Sequence, residues 1–172
     1  MKLLVTGGAG FIGSHFIGSQ INKNYWQKII VLDSLTYAAN LNNIQRFIDS
    51  SQIDFVKGDI CDEKIVKDVM KDVSTVVHFA AESHVDRSIL SSKQFIISNV
   101  LGTQNLLDQA LKLGVQTFVH ISTDEVYGSI EKGSWDEMEP VKPNSPYSAS
   151  KASSDLLALA YFRTYGLDVR VT

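Results

Sequence analysis

The segment Thr6-Gly7-Gly8-Ala9-Gly10-Phe11-Ile12-Gly13 decides the fold. It contains G-x-G-x-x-G from Gly8 and T-G-x-x-G-x-x-G from Thr6. Glycine is needed where a chain turns sharply, where backbone must approach a pyrophosphate, and where a helix packs tightly on a strand. The aliphatic run at residues 2–6 reads as a buried parallel strand, and Ile12, Phe16, Ile17 and Ile21 then recur at helical spacing. A strand, a glycine turn and a helix in that order set the free N–H groups of a helix N-terminus beside the turn, where a phosphate can bind.

Outward from this turn, strand and helix patterns alternate. Residues 28–33 (KIIVLD) form the second strand, residues 41–49 a short helix, and residues 53–57 the third strand. Asp62 caps a helix whose apolar face is Ile65, Val66, Val69 and Met70. Residues 75–81 predict the fourth strand, 95–113 a long helix ended by Gly114, and 116–122 the fifth strand. Residues 123–144 are mostly loop, broken by Gly128, Gly133, Pro140 and Pro143. Ser145 as N-cap and Pro146 at the first helical position start another long helix, stopped by Gly166, and residues 167–172 begin a sixth strand. This regular alternation predicts an α/β Rossmann fold, a doubly wound parallel sheet of order 3-2-1-4-5-6 with its ligand at the carboxyl ends of the strands. Residues 1–172 are expected to form one NAD-binding domain that stops within or after strand six, with no second domain.

Asp33 ends the second strand, twenty positions after Gly13 (33 − 13). A carboxylate there can accept hydrogen bonds from both ribose hydroxyls and repels a 2′-phosphate, which favours NAD over NADP. The plainer alternative is a tight glycine turn with Asp33 capping a loop. Asp59 and Ile60 follow the third strand, placed to receive the adenine amino group and cover its ring, although a solvated loop acid looks the same. Phe79, Ala80 and Ala81 end the fourth strand, where small side chains leave room for a cofactor or serve as core.

Tyr147 and Lys151 form a Y-x-x-x-K pair at the start of a helix, and the i, i+4 spacing puts both on one face. A phenol with a reference pKa of about 10 is a poor base at neutral pH. A neighbouring ammonium and the charge of an oxidised nicotinamide favour the phenolate, and Lys151 can also hold the nicotinamide ribose. Ser122-Thr123-Asp124-Glu125 follows the fifth strand on the same rim. Its two carboxylates exceed what a simple dehydrogenase needs and suit an elimination, one protonating a leaving hydroxyl and the other removing a carbon-bound proton. An N-capping acidic turn is the structural alternative.

Composition narrows the partners. The chain has 172 residues, 44% hydrophobic and 20% charged, with a net charge of −3 and no basic run, so nucleic acid is not expected. The single cysteine, Cys61, rules out an internal disulfide and fits a reducing, cytoplasmic setting. No stretch approaches the roughly 20 apolar residues that span a bilayer, so no membrane is expected. Histidines 15, 78, 84 and 120 make no metal-ligand pattern, and His78 and His120 read as packed core residues inside apolar strands.

These residues resemble the extended short-chain dehydrogenase/reductase superfamily, and within it the nucleotide-sugar 4,6-dehydratases, the dTDP-glucose 4,6-dehydratase family above all. The resemblance is carried by TGGAGFIGS (6–14), DSLTYAANL (33–41), GDICD (58–62), HFAAESHVDRSI (78–89), STDEVYG (122–128) and PYSASKASSD (146–155). It implies a lyase in which Tyr147, assisted by Lys151 and Thr123, takes the proton of the sugar 4-OH while NAD accepts hydride from C4. Glu125 then removes the C5 proton, Asp124 protonates the departing 6-OH, and the hydride returns to C6 to give a 4-keto-6-deoxy sugar. Ser83 and Thr123 are implied to touch substrate. Phe11, Ile12, Ser34, Thr36 and Ser98 are implied to line the NAD site with Gly7, Gly10 and Gly13, and Asn99 to steady the active site. A homodimer through helices 95–113 and 146–165 is implied as well. Ala39 stands where the family usually has glycine, and Ser98 where threonine is common. Family members are much longer, so the C-terminal substrate domain is expected to be missing, and activity of this length of chain is left open. The competing readings are a non-catalytic NAD-binding module and a nucleotide-sugar 4-epimerase, the latter disfavoured by the Asp124-Glu125 pair.

Overall fold

Leu3, Leu4, Val5 and Thr6 are fully buried, as an aliphatic strand flanked on both sides must be. They belong to β1 (Lys2–Thr6), the centre of the sheet in a computed structural model that describes residues 1–172. β1 pairs in parallel with β2 (Lys28–Asp33) on one side and β4 (Thr75–His78) on the other. β3 (Asp54–Lys57) adds to β2, β5 (Thr117–His120) to β4, and β6 (Val169–Val171) to β5. The order is β3-β2-β1-β4-β5-β6, as the sequence pattern predicts.

Alternate strand residues build two cores, one on each face. Leu4, Ile30, Leu32, Val76 and Phe118 pack on one face with helices α3 (Glu63–Val69), α6 (Thr103–Leu113) and α7 (Pro146–Tyr165). Leu3, Val5, Ile29, Val31 and Val77 pack on the other with Ile17 of α1 (Phe11–Lys23) and Phe47 of α2 (Gln45–Asp49). The helix ends follow their capping residues. Asp62 accepts from the Ile65 N–H at 3.0 Å, and Ser145 forms a capping box with Ser148. Gly114 and Gly166 close α6 and α7 with φ of 70° and 71°. No helix is long and apolar enough to cross a membrane.

Several boundaries differ from the expectation. β4 ends at His78 rather than Ala81, because the Phe79 N–H still reaches Thr6 O at 3.0 Å while Ala80 turns to the Thr6 hydroxyl and out of the ladder. β5 likewise ends at His120 instead of Ser122. The helix expected at 41–49 is a 3₁₀ turn (Leu41–Asn43) followed by α2. An unanticipated helix, α4 (Val85–Leu90), buries Ser88 and leaves Ile89 and Leu90 exposed, so its apolar residues do not mark its inner face. The long helix begins at Lys93 and is not uniform. α5 (Lys93–Phe95) runs through a π-helical segment, Ile96–Gly102, into α6.

Candidate active site

The glycine turn is held from three directions. Gly7 has φ +71°, and its N–H donates to Leu32 O at 2.9 Å, which ties the loop to β2. A Cβ on Gly13 would run into Gly7 O, so helix and turn could not approach with a larger residue there. The first N–H groups of α1, including those of Phe11 and Ile12, have no intrahelical acceptor, and both residues line a cleft of about 380 Å³ at the strand ends. Phe11 is 77% exposed, an apolar side chain left uncovered at the cleft mouth.

Asp33 is buried, and both its oxygens hold backbone: Oδ2 accepts from the Ala9 N–H at 2.9 Å and Oδ1 from the Leu35 N–H at 2.8 Å. The loop-clamping and ligand-binding readings therefore coexist, since a carboxylate has about four acceptor positions and two are used. Every cofactor position expected from the sequence lines the cleft, from Gly7, Gly10 and Gly13 through Ser34, Thr36, Asp59 and Ile60 to Phe79, Ala80, Ala81, Ser98, Tyr147 and Lys151. Ser83 lines it too. Ser122, read in the sequence as part of the rim, lines it as well, and Gly58, Glu82, Gln94 and Ile121 do so without a role assigned from the sequence. The glycine cradle, the free helix N-terminus and the Asp33 carboxylate at the end of β2 fit a dinucleotide. Asp59 additionally turns the local chain by accepting from the Cys61 N–H at 2.8 Å.

Tyr147 and Lys151 are both buried on the first turns of α7. The Lys151 Nζ donates to Ile121 O at 2.6 Å. Burial pushes the Lys151 pKa down to about 8, and the Asp155 carboxylate works against that fall. Burial also pushes Tyr147 above 10.0, the Thr123 hydroxyl pulls it back, and the charges of Glu125, Asp124 and Asp155 add to the rise. The buried phenol is therefore not acidic in the unliganded chain. Thr123 caps the 3₁₀ turn Asp124–Tyr127 by accepting from the Glu125 N–H at 3.3 Å, so the capping reading holds for Thr123. Thr123, Asp124 and Glu125 stand beside Tyr147 rather than in the cleft wall.

Asn99, on the π-helical segment, joins the two halves of the rim. Its amide donates to Glu82 O at 2.9 Å and Ser150 Oγ at 2.8 Å, and its Oδ1 accepts from the Glu82 N–H at 2.8 Å. π-helical turns recur at functional sites because the widened turn re-aims a side chain. His78 and His120 are buried but are not plain core residues. His78 Nδ1 lies 2.7 Å from Thr6 Oγ1 and its Nε2 lies 2.9 Å from Thr103 Oγ1, while its ring centroid is 5.3 Å from that of His120.

Burial holds the pKa of His78 well below the ordinary 6.5, helped by His120 and Lys151. Burial also lowers His120, against the pull of Asp155. As pH falls, the unfolded chain takes up these protons first, so the stability from both groups is complete above about 6.5 and is lost as pH drops below it. The urea midpoint is expected to fall between about pH 7.5 and 5.5, and His78→Gln to flatten that slope. An unchanged midpoint across this range overturns the expectation.

A family model described as GDP-mannose 4,6 dehydratase matches residues 4–172. A dTDP-glucose 4,6-dehydratase of Streptomyces antibioticus is 59% identical over 177 residues, which cover 100% of this chain and 52% of that protein. DesIV, a dTDP-glucose 4,6-dehydratase from Streptomyces venezuelae crystallised with NAD, superimposes with a TM-score of 0.96 at 55% identity, over 99% of this chain and 54% of that one. A UDP-glucose 4-epimerase of Thermus thermophilus in complex with NAD superimposes with a TM-score of 0.90 at 32% identity, over 99% and 54% of the two chains. The chain spans about half the length of the curated relatives it matches.

Proposed function

The chain belongs to the GDP-mannose 4,6 dehydratase family, and from that membership we propose that it is the NAD-binding part of a nucleotide-sugar 4,6-dehydratase acting on dTDP-glucose. The observation that carries the proposal is that Tyr147 and Lys151 line the glycine-loop cleft while Thr123, Asp124 and Glu125 stand beside Tyr147. In this reading residues 1–172 form one dinucleotide-binding domain, with Asp33 on the adenosine ribose and Asp59 and Ile60 at the adenine.

NAD, when bound, supplies a reversible hydride acceptor that takes hydrogen from C4 and returns it at C6. Tyr147 Oη receives the proton of the 4-hydroxyl, with Thr123 Oγ1 beside it stabilising the phenolate. Lys151 Nζ, fixed by Ile121 O, holds the nicotinamide ribose and adds positive charge next to the phenol. The resulting 4-keto group acidifies the C5 proton, which Glu125 removes while Asp124 protonates the 6-hydroxyl as it leaves as water, and Glu125 gives that proton back to C5 when C6 is reduced. A 4-epimerase has no use for that second pair of acids, and the Asp124-Glu125 pair is what separates the two readings. Exposed Ile96, Leu101 and Leu111 on one long helix, with Leu156, Leu159 and Phe162 on α7, support a homodimer through these helices. The free thiol of Cys61 supports a cytoplasmic location.

The test measures binding and turnover separately. Calorimetry is expected to show NAD bound at least about tenfold more tightly than NADP, because Asp33 repels a 2′-phosphate. Equal affinity overturns the cofactor assignment. Incubation with NAD and dTDP-glucose then decides turnover: a 4-keto product that the Asp124→Ala, Glu125→Ala double variant does not form supports the dehydratase, and NAD binding without any product favours a non-catalytic NAD-binding module for this length of chain. A double variant with full activity would revive the epimerase.

A further inference from the structure

Beside Lys151 lies a set of buried polar side chains that the reaction above leaves unused. Asp155 follows Lys151 by one turn of α7 and is 6% exposed. Its Oδ2 accepts from Ser122 Oγ at 2.5 Å, and its Oδ1 lies 3.1 Å from His120 Nε2. Ser122 lines the cleft and immediately precedes Thr123. His120 Nε2 also lies 3.1 Å from Ser154 Oγ, whose own proton goes to Lys151 O at 2.7 Å. With its proton committed, the Ser154 hydroxyl accepts from His120, so the ring carries its proton on Nε2, while Asp155 Oδ1 lies close to that nitrogen without a hydrogen bond of its own. Nδ1 has no partner, which suits a bare lone pair and would be costly for an N–H. His120 is therefore neutral, and the negative charge of this buried set rests on Asp155.

We propose that Asp155, held by Ser122 beside neutral His120, is a positioning residue of the Tyr147–Lys151 site, supplying the buried counter-charge of the Lys151 ammonium and locking the Thr123 end of β5 to α7. The use made of Lys151 rests on the functional reading above, whereas the charge coupling rests on the i, i+4 placement of two buried, oppositely charged side chains on α7.

Lys151 is 4% exposed, with one Nζ proton on Ile121 O, and an ammonium so removed from water sheds its proton unless an anion stands near. Burial already brings its pKa down to about 8, with Asp155 opposing, so the lysine is only narrowly charged at neutral pH. The other ionisable groups around it leave this role to Asp155. Tyr147 lies one turn back on α7, Asp124 and Glu125 stand on the turn after β5 beside the phenol, and His78 and His120 are buried with lowered pKa values. Asp155 also raises Tyr147, so its removal lowers both groups, and the two titrations must be followed separately.

The experiment is a pH titration of the Lys151 side-chain NMR signals in the unliganded chain, assigned by their loss in Lys151→Met. Lys151 is expected to titrate near 8 in the wild type. In Asp155→Asn the midpoint falls by about one pH unit. The variant is nearly isosteric, and its amide can keep the contact with Ser122 by donating to the Ser122 hydroxyl. A purely structural role for Asp155 leaves the Lys151 midpoint unmoved, and that result overturns the proposal. So does a wild-type Lys151 that has already lost its proton at pH 7, because Asp155 then fails to hold the ammonium charged, a measurement that needs no variant to fold. NAD affinity of the variant is expected to be about tenfold weaker at pH 8 and to recover as pH is lowered and Lys151 regains its proton. Failure of NAD to bind the wild-type chain overturns the functional reading, and the NMR titration still decides the charge coupling.

Discussion

Gly7→Ala is expected to destabilise the fold by about 3 kcal/mol, combining a left-handed backbone that a Cβ disfavours with overpacking of a closed site. The φ at Gly7 is +71°, and a Cβ there would sit 2.5 Å from Ala80 N, 2.7 Å from Ala80 Cα and 2.8 Å from Phe79 C. All three are main-chain atoms at the end of β4, so no side-chain rotation relieves the overlap. The turn would have to lift away from β4, straining the 2.9 Å bond from the Gly7 N–H to Leu32 O and opening the floor of the cleft. NAD binding is expected to vanish with it. Gly10→Ala is the control, because Gly10 has φ −72° and an added Cβ meets only Gly7 O at 3.2 Å. That variant should unfold within about 1 kcal/mol of wild type. Urea midpoints of the two variants check the argument, and equal midpoints overturn it.

Asn99→Asp is expected to cost about 3–4 kcal/mol despite its near-identical shape, because it turns a satisfied buried amide into a mispaired buried charge. Both amide protons of Asn99 are in use, toward Glu82 O and Ser150 Oγ. Ser150 cannot reverse the bond, since its own proton goes to Tyr147 O at 2.7 Å. A carboxylate would therefore face the Glu82 carbonyl as acceptor against acceptor. Asn99→Ala leaves the same groups unpaired without the charge, and should cost about 3 kcal/mol. The Asp variant alone should regain ground on wild type as pH falls, because a buried carboxyl takes up a proton readily. Unfolding free energies at two pH values separate these cases, and an Asp variant within about 1 kcal/mol of wild type overturns the account. Dinucleotide affinity should fall in step, since Glu82 and Ser98 line the cleft on either side of this clamp.

Legibility in the sequence followed the range of the interactions involved. The glycine turn, the carboxylate at Asp33 and the Tyr147–Lys151 spacing could be read because each lies within one turn, strand end or helix face. Helix α4 was not legible, since its buried residue is Ser88 while Ile89 is 66% and Leu90 86% exposed. The π-helical segment at Ile96–Gly102 was read as ordinary helix because its apolar residues keep a helical look, whereas its register answers to partners elsewhere in the chain. Gly102 there packs so closely on Ile60 that a Cβ would sit 2.6 Å from Ile60 Cδ1. In the sequence alone, His78 and His120 look like packing residues for a related reason: an apolar neighbourhood in sequence does not reveal a hydroxyl that arrives from another element.

By itself, the sequence determined the sheet order, the placing of the phosphate loop and the acidic ends of the strands, because periodicity, φ restrictions and capping act over a few residues. Only the tertiary structure decided how the rim is joined. Asn99 meets Ser150 across 51 positions, Ser122 meets Asp155 across 33, and Thr6 meets His78 across 72. Such pairs leave no periodic trace, since a hydrogen bond between two elements depends on where packing sets them, and the same side chains far from those partners would read as solvated or core. The glycine turn is written in the chain; the charge and orientation of Lys151 beside it arise only when the chain is folded.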